Sequence, residues 1–279
     1  GYGVPIPPHR DVPLRPGAGD RALWRTDLET GQREVLVTLE ELSRVLLAAE
    51  SGRELKRSAF LGFHVKFNPQ QDRILFVLRA MDTRARHGRY KRRPNLLTLD
   101  PDGSDARVAM PWSEWSKGGH HPNWHPDGRR CSMNLKLDGK NMGFVEFNHD
   151  GSGLRRVLER IPGSGHPSYS PDGRWLLTDA YPSDENVPSR DGAVPIRLID
   201  VERESCREIA WVPVTEAGRA ALRCDPHPAW RADGRAVCFN GAPGGVRQVF
   251  VADLHLGELP DVGEQARSAK HESGVNDAR

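Results

Sequence analysis

One pattern occurs four times in the chain, and its spacing leaves few folds open. The copies read His64-Val-Lys-Phe67-Asn-Pro69-Gln-Gln-Asp72-Arg-Ile-Leu-Phe76, His121-Pro-Asn-Trp124-His-Pro126-Asp127-Gly128-Arg-Arg-Cys-Ser-Met133, His166-Pro-Ser-Tyr169-Ser-Pro171-Asp172-Gly173-Arg-Trp-Leu-Leu-Thr178 and His227-Pro-Ala-Trp230-Arg-Ala-Asp233-Gly234-Arg-Ala-Val-Cys-Phe239. Each predicts a short strand with an inward aromatic, a tight turn and a second apolar strand. Proline presets φ, aspartate bonds its own backbone and glycine accepts positive φ, which is what such a turn requires. The copies start at positions 64, 121, 166 and 227.

A second half-motif follows each copy: Asn95-Leu-Leu-Thr-Leu-Asp100, Gly143-Phe-Val-Glu-Phe147, Ile196-Arg-Leu-Ile-Asp200 and Gln248-Val-Phe-Val-Ala-Asp253. Each predicts a third strand that turns into a fourth. Four strands per repeat, at a period of roughly 45–60 residues, is the signature of a β-propeller blade. The segment Ala22-Leu-Trp-Arg-Thr-Asp27-Leu-Glu-Thr-Gly31 matches the second half-motif with no first half before it. The expected fold is therefore all-β: a propeller of four-stranded antiparallel blades, four full ones plus part of another. A closed propeller of six to eight blades needs further strands, so the chain reads as a fragment. Residues 1–255 form one expected domain, N-terminally incomplete. Residues 39–50 carry helical spacing and form an insertion, and 256–279 are polar, aperiodic and expected to be disordered.

Composition agrees. The chain has 279 residues with 28 glycines and 22 prolines spread at intervals, which favours a turn-rich β protein. Forty basic residues against 38 acidic ones give a formal charge of +2, so the whole chain is no general polyanion binder and nucleic acid is not an expected partner. No apolar run approaches a membrane span. The four cysteines show no CxxC spacing. Cys131 and Cys238 lie in strand-like runs and read as core thiols, which leans to a reducing, cytoplasmic setting. The chain starts at Gly1 rather than Met, so a leader stays open; the oligomeric state is not legible.

In a propeller the first strand of each blade lines the central channel, so His64, His121, His166 and His227 form one column. Four of the 11 histidines fall in it. Converging imidazoles suit a divalent transition metal, a general base, or both. Asp225 precedes His227 by two positions, and on an extended strand both side chains face one side. Residues 84–93 carry six Lys or Arg in ten, a basic stretch whose arginine forks suit carboxylates. The loop that contains Tyr181 joins the inner strands of the His166 repeat and rims the same mouth. His120 is the weaker channel candidate beside His121, and His87 and His149 read as surface residues.

Pro167-Ser-Tyr169-Ser-Pro-Asp-Gly173 resembles the strand and turn of TolB-like propellers. Within that group the channel histidines resemble those of oligogalacturonate lyases of the pectate lyase 22 type, over roughly residues 59–255. That resemblance implies a fragment of a seven-bladed propeller and a metal-dependent polysaccharide lyase that cleaves acidic, uronate-containing oligosaccharides by β-elimination with a manganese ion on the axis. It implies His121 as the base, His166 and His227 as metal ligands, and Arg93 or Arg92 for the substrate carboxylate; the column adds His64 and Asp225 to the candidate metal ligands, and its place at the channel mouth makes Tyr181 a candidate substrate contact. Where the family has Gln-x-x-His-x-His, this chain reads Leu222-Arg-Cys-Asp225-Pro-His227. The alternative expectation is a non-catalytic TolB-like propeller that binds a protein or glycan.

Overall fold

Two short strands and one capped helix come first. The computed structural model describes residues 21–50, 55–82, 91–214 and 223–256. Strands β1 (Ala22–Thr26) and β2 (Arg33–Thr38) pair antiparallel. Helix α1 (Leu39–Ala49) follows at once, in the place its periodicity predicts. Its start is a reciprocal cap: Glu41 N–H donates to Thr38 Oγ1 at 3.1 Å and Thr38 N–H to Glu41 Oε2 at 2.8 Å. Leu39, Leu42 and Leu46 form its buried stripe.

That stripe covers the first full sheet, β3 (Ser58–Phe67), β4 (Ile74–Asp82), β5 (Arg92–Leu99) and β6 (Arg107–Met110), in the order β3-β4-β5-β6 and antiparallel throughout. Strand β4 is apolar on both faces. Ile74, Phe76 and Leu78 pack with the helix leucines, whereas Leu75 and Val77 pack on the other side with Trp124, Cys131 and Met133. A strand covered on two faces loses the polar alternation of a half-exposed one, which explains the run Ile74–Leu78. A short helix, α2 (Trp112–Trp115), leads to the second sheet: β7 (Gly119–Trp124), β8 (Arg130–Leu135), β9 (Gly143–Asn148) and β10 (Arg155–Arg156).

The described chain divides after Val157 into two compact units. The second holds the sheet β11 (Ser168–Tyr169), β12 (Trp175–Thr178), β13 (Ala193–Asp200) and β14 (Ser205–Pro213), then β15 (Ala229–Trp230), β16 (Ala236–Gly241) and β17 (Gln248–Asp253). Among the described residues the last sheet carries three strands; residues 257–279, where the sequence predicts a tail, lie outside them.

The repeat turns form as the sequence predicts. Asp127 Oδ1 accepts the backbone N–H of Arg129 and of Arg130, each at 2.9 Å. Asp172 and Asp233 accept those of Arg174 and Arg235 at 3.1 and 2.9 Å. Gly128, Gly173 and Gly234 take φ of 71°, 75° and 71°, and Gln71 takes 60° in the copy that lacks glycine. The motif aromatics staple neighbouring repeats. Trp124 donates its indole N–H to the carbonyl of Lys66 at 3.1 Å, and Trp230 donates to that of Ser168 at 3.1 Å. One cysteine departs from expectation. Cys131 is buried, but Cys238 is exposed, because Val237 and Phe239 on either side take the inward positions of β16.

Candidate metal centre

The column histidines sit on unusual backbone. His64, His121 and His227 have φ of 54°, 56° and 47°, a left-handed conformation in which histidine is one of the few enriched residues. The β3–β4 and β7–β8 ladders shift register there, between Phe63 and Val65 and between His120 and Asn123. His64 therefore lies on a bulge well inside β3, not at a strand start. In the third copy Gly165 takes the left-handed conformation, with φ of 62°, and His166 is spared it. A Cβ on Gly165 would collide with the carbonyl oxygen and Oδ1 of Asp179.

That close approach builds the site. Asp179 follows β12 and is fully buried. Its Oδ1 accepts the His166 backbone N–H at 2.7 Å, and both carboxylate oxygens lie 2.9 Å from His166 Nδ1. Its Oδ2 also accepts the backbone N–H of His227 at 3.0 Å. One carboxylate thus holds a ring and two main-chain segments from different repeats. Burial alone would raise its pKa; the hydrogen bond and charge of His166 and the two amides outweigh that and lower it. With Nδ1 held, His166 Nε2 points outward, 3.3 Å from the Tyr181 hydroxyl.

The His166 and His227 rings stand 3.5 Å apart between centroids. Asp225 joins them: a ligand atom from each of His166, Asp225 and His227 lies within 4.8 Å of the others. The extended-strand argument for Asp225 and His227 does not hold, because residues 223–228 are irregular and His227 is left-handed. They converge on irregular backbone in which His227 is left-handed. Arg223 Nε donates to Asp225 Oδ1 at 2.9 Å, and its Nη2 lies 2.7 Å from Oδ2 but off the hydrogen-bonding line. Oδ2 is therefore buried without a hydrogen bond. A buried acceptor beside two imidazoles fits a divalent cation of the borderline class. His227 is the exposed member, yet lost hydration of its ring and the neighbouring His166 lower its pKa. A cavity of 340 Å³ opens beside it, lined by Arg223, Cys224, Asp225, His227, Asn240 and Arg247.

The other predicted residues belong to the first unit. His64 is exposed and stacks on Phe63 at 3.9 Å between centroids. His121 is half-buried, with its ring edge-on to His120 at 4.8 Å. On β5, Arg92 is exposed, whereas Arg93 is buried with Nη2 3.4 Å from Asp82 Oδ2. The basic stretch before them, residues 83–90 and with it His87, lies outside the described residues. His149 is half-buried rather than on the surface.

Sequence reasoning missed Asp179. A signal existed: the equivalent second-strand position of the four copies is Val77, Asn134, Asp179 or Asn240 in turn. Three of these four positions carry a carboxamide or a carboxylate. Asn134 Nδ2 lies 3.3 Å from His120 Nδ1, and Asn240 lines the cavity beside His227.

No family model matches the chain. Among solved structures, TolB from Acinetobacter baumannii superposes with a TM-score of 0.52 at 15% identity, over 83% of this chain and 46% of that one. The fold is a β-propeller. An oligogalacturonate lyase from Vibrio parahaemolyticus gives a TM-score of 0.49 at 15% identity, over 86% of this chain and 74% of that one. An oligogalacturonate lyase in complex with manganese gives 0.48 at 14%, over 85% and 72%. The chain spans less than half of the TolB chain it matches, and at these identities the likeness is one of propeller fold.

Proposed function

We propose that this propeller serves a metal-dependent polysaccharide lyase that cleaves uronate-containing oligosaccharides by β-elimination. The observation that carries the reading is the convergence of His166, Asp225 and His227 within 4.8 Å, beside a cavity that two arginines line. The donor set suits Mn²⁺ or a similar divalent cation. When bound, such a cation supplies positive charge to the uronate carboxylate and so acidifies the neighbouring C5–H. The chain's own residues do the rest. Asp179 holds the His166 imidazole in place. The neutral imidazole of His121, the base that the family resemblance implies, takes the C5 proton. The freed electron pair forms the C4–C5 double bond as the C4–O bond breaks, and the departing 4-linked oxygen takes a proton from water. Arg92 and Arg93 are assigned to the substrate carboxylate on the same resemblance, and Tyr181 to the substrate on its place beside His166.

The second reading, a non-catalytic propeller that binds a protein or glycan, is favoured by Leu222 and Asp225 where the lyase pattern has glutamine and a second histidine. One experiment separates the two. The purified protein is given oligogalacturonate and Mn²⁺, and the ultraviolet absorbance of unsaturated uronate is followed with metal content measured on the same samples. The lyase reading expects chromophore from wild type, none from His121→Asn with metal retained, and loss of both from His166→Ala. Bound metal without chromophore from any uronate polymer gives the binding reading its place.

A further inference from the structure

We propose that Asp179 is the positioning residue of the metal centre, the single carboxylate that sets the His166 tautomer and holds the His227 segment beside it. The inference rests on the metal reading above and adds a residue that the repeat pattern alone does not reveal.

An ionised carboxylate only accepts, so Asp179, 2.9 Å from His166 Nδ1, keeps a proton on that nitrogen and leaves the lone pair on Nε2, the nitrogen a cation would take. Metal-bound histidines commonly rely on such an outer carboxylate, which fixes ring orientation and raises ligand basicity. Asp179 does more than that, because its acceptor capacity is divided. Oδ1 takes the His166 amide at 2.7 Å and Oδ2 the His227 amide at 3.0 Å, so both ligand-bearing segments hang from one group. Local backbone is shaped to permit this. Gly165 is left-handed and has no side chain where a Cβ would meet Asp179, and Thr178 Oγ1 donates to the Ser164 carbonyl at 2.7 Å, which fastens the strand before Asp179 to the segment that carries His166. Asp179 is buried and takes its hydrogen bonds from two amides and an imidazole, whereas the turn aspartates Asp127 and Asp233 pair with arginines.

An amide cannot replace this pattern. An asparagine here would offer one acceptor oxygen and one NH₂, and the NH₂ would face the N–H of either His166 or His227.

The test uses the whole chain. Mn²⁺ binding is measured by titration calorimetry for wild type, His166→Ala, Asp179→Asn and Asp179→Glu, and the His166 tautomer is read by ¹⁵N NMR without metal. Asp179→Asn is expected to weaken Mn²⁺ binding about 10–100-fold, with partial recovery in Asp179→Glu. Wild-type His166 is expected as the Nδ1–H tautomer, with that preference lost in Asp179→Asn. If wild type and His166→Ala bind Mn²⁺ alike, the metal reading fails, and the tautomer measurement still judges Asp179. If His166→Ala loses the metal while Asp179→Asn keeps wild-type affinity, the positioning role is overturned. An Nε2–H tautomer in wild type overturns it too, and decides the matter if Asp179→Asn does not fold.

Discussion

Arg130 meets Glu146 across the β7–β10 sheet, with Nη1 2.5 Å from Oε2. Glu146 is only 2% exposed, and Arg155 Nη2 reaches the same oxygen at 2.8 Å from the surface side. A buried carboxylate that loses its main partner keeps its desolvation penalty. Arg130→Ala should therefore destabilise the protein by about 2–3 kcal/mol, less than a wholly unpaired buried charge because Arg155 remains. Arg155→Ala, at the exposed end, should cost about 0–1 kcal/mol. Urea unfolding of both variants checks the order, and equal midpoints would refute it.

The indole staples predict a graded response. Trp124 is buried and bonds the Lys66 carbonyl, so Trp124→Phe keeps most of the packing but loses that hydrogen bond. The expected loss is about 1–2 kcal/mol. Trp124→Ala should cost about 3–5 kcal/mol. Two similar midpoints in denaturant would show that the hydrogen bond contributes nothing.

Gly165→Ala tests the backbone that admits Asp179. The left-handed φ and the collision with the Asp179 carbonyl and carboxylate oxygens act together. A simple left-handed alanine costs about 1 kcal/mol, and the loss here should exceed that. Weaker Mn²⁺ binding should accompany it. Gly139→Ala, where φ is 75° but no atom lies within 4 Å, gives the backbone cost alone. Identical losses at the two glycines would remove the steric argument.

Acid should weaken the second unit when no metal is added. Asp179 has a folded pKa below its ordinary value, so its stabilisation is full above that ordinary value and fades as pH falls through the lowered one. His227 is also lowered; its folded form resists the proton that the unfolded chain accepts below about pH 6.5. Both effects run the same way. The melting temperature should hold above about pH 7 and decline as pH drops below about 6.5. His227→Asn should flatten the upper part of that decline and leave the lower part. A melting temperature that rises on acidification from about pH 7 would contradict both assignments.

Much of the fold was legible because turn chemistry and blade period are local. The Pro-Asp-Gly turns, the two-faced strand Ile74–Leu78 and helix α1 follow from residue type and spacing. The gathering of His166, Asp225 and His227 was legible as a column, but its geometry was not. Extended alternation put Asp225 beside His227, but irregular backbone with a left-handed histidine, not strand alternation, brings them together. Asp179 stayed hidden because a lone aspartate after Thr178 looks like a strand end. Its meaning depends on amides that are distant in sequence. Cys238 misled because its neighbours are apolar whichever way it faces.

A left-handed backbone at His64, His121 and His227 also limits how those positions can drift. Alanine or a branched residue there loses the imidazole and incurs about 1–2 kcal/mol of conformational cost. Asparagine, aspartate and glycine lose the imidazole while keeping the bend. His166 is under no such restriction, because Gly165 bears it. A lineage that abandons the chemistry should therefore leave different traces: small or carboxamide residues at three of the column positions, and a wide assortment at the fourth.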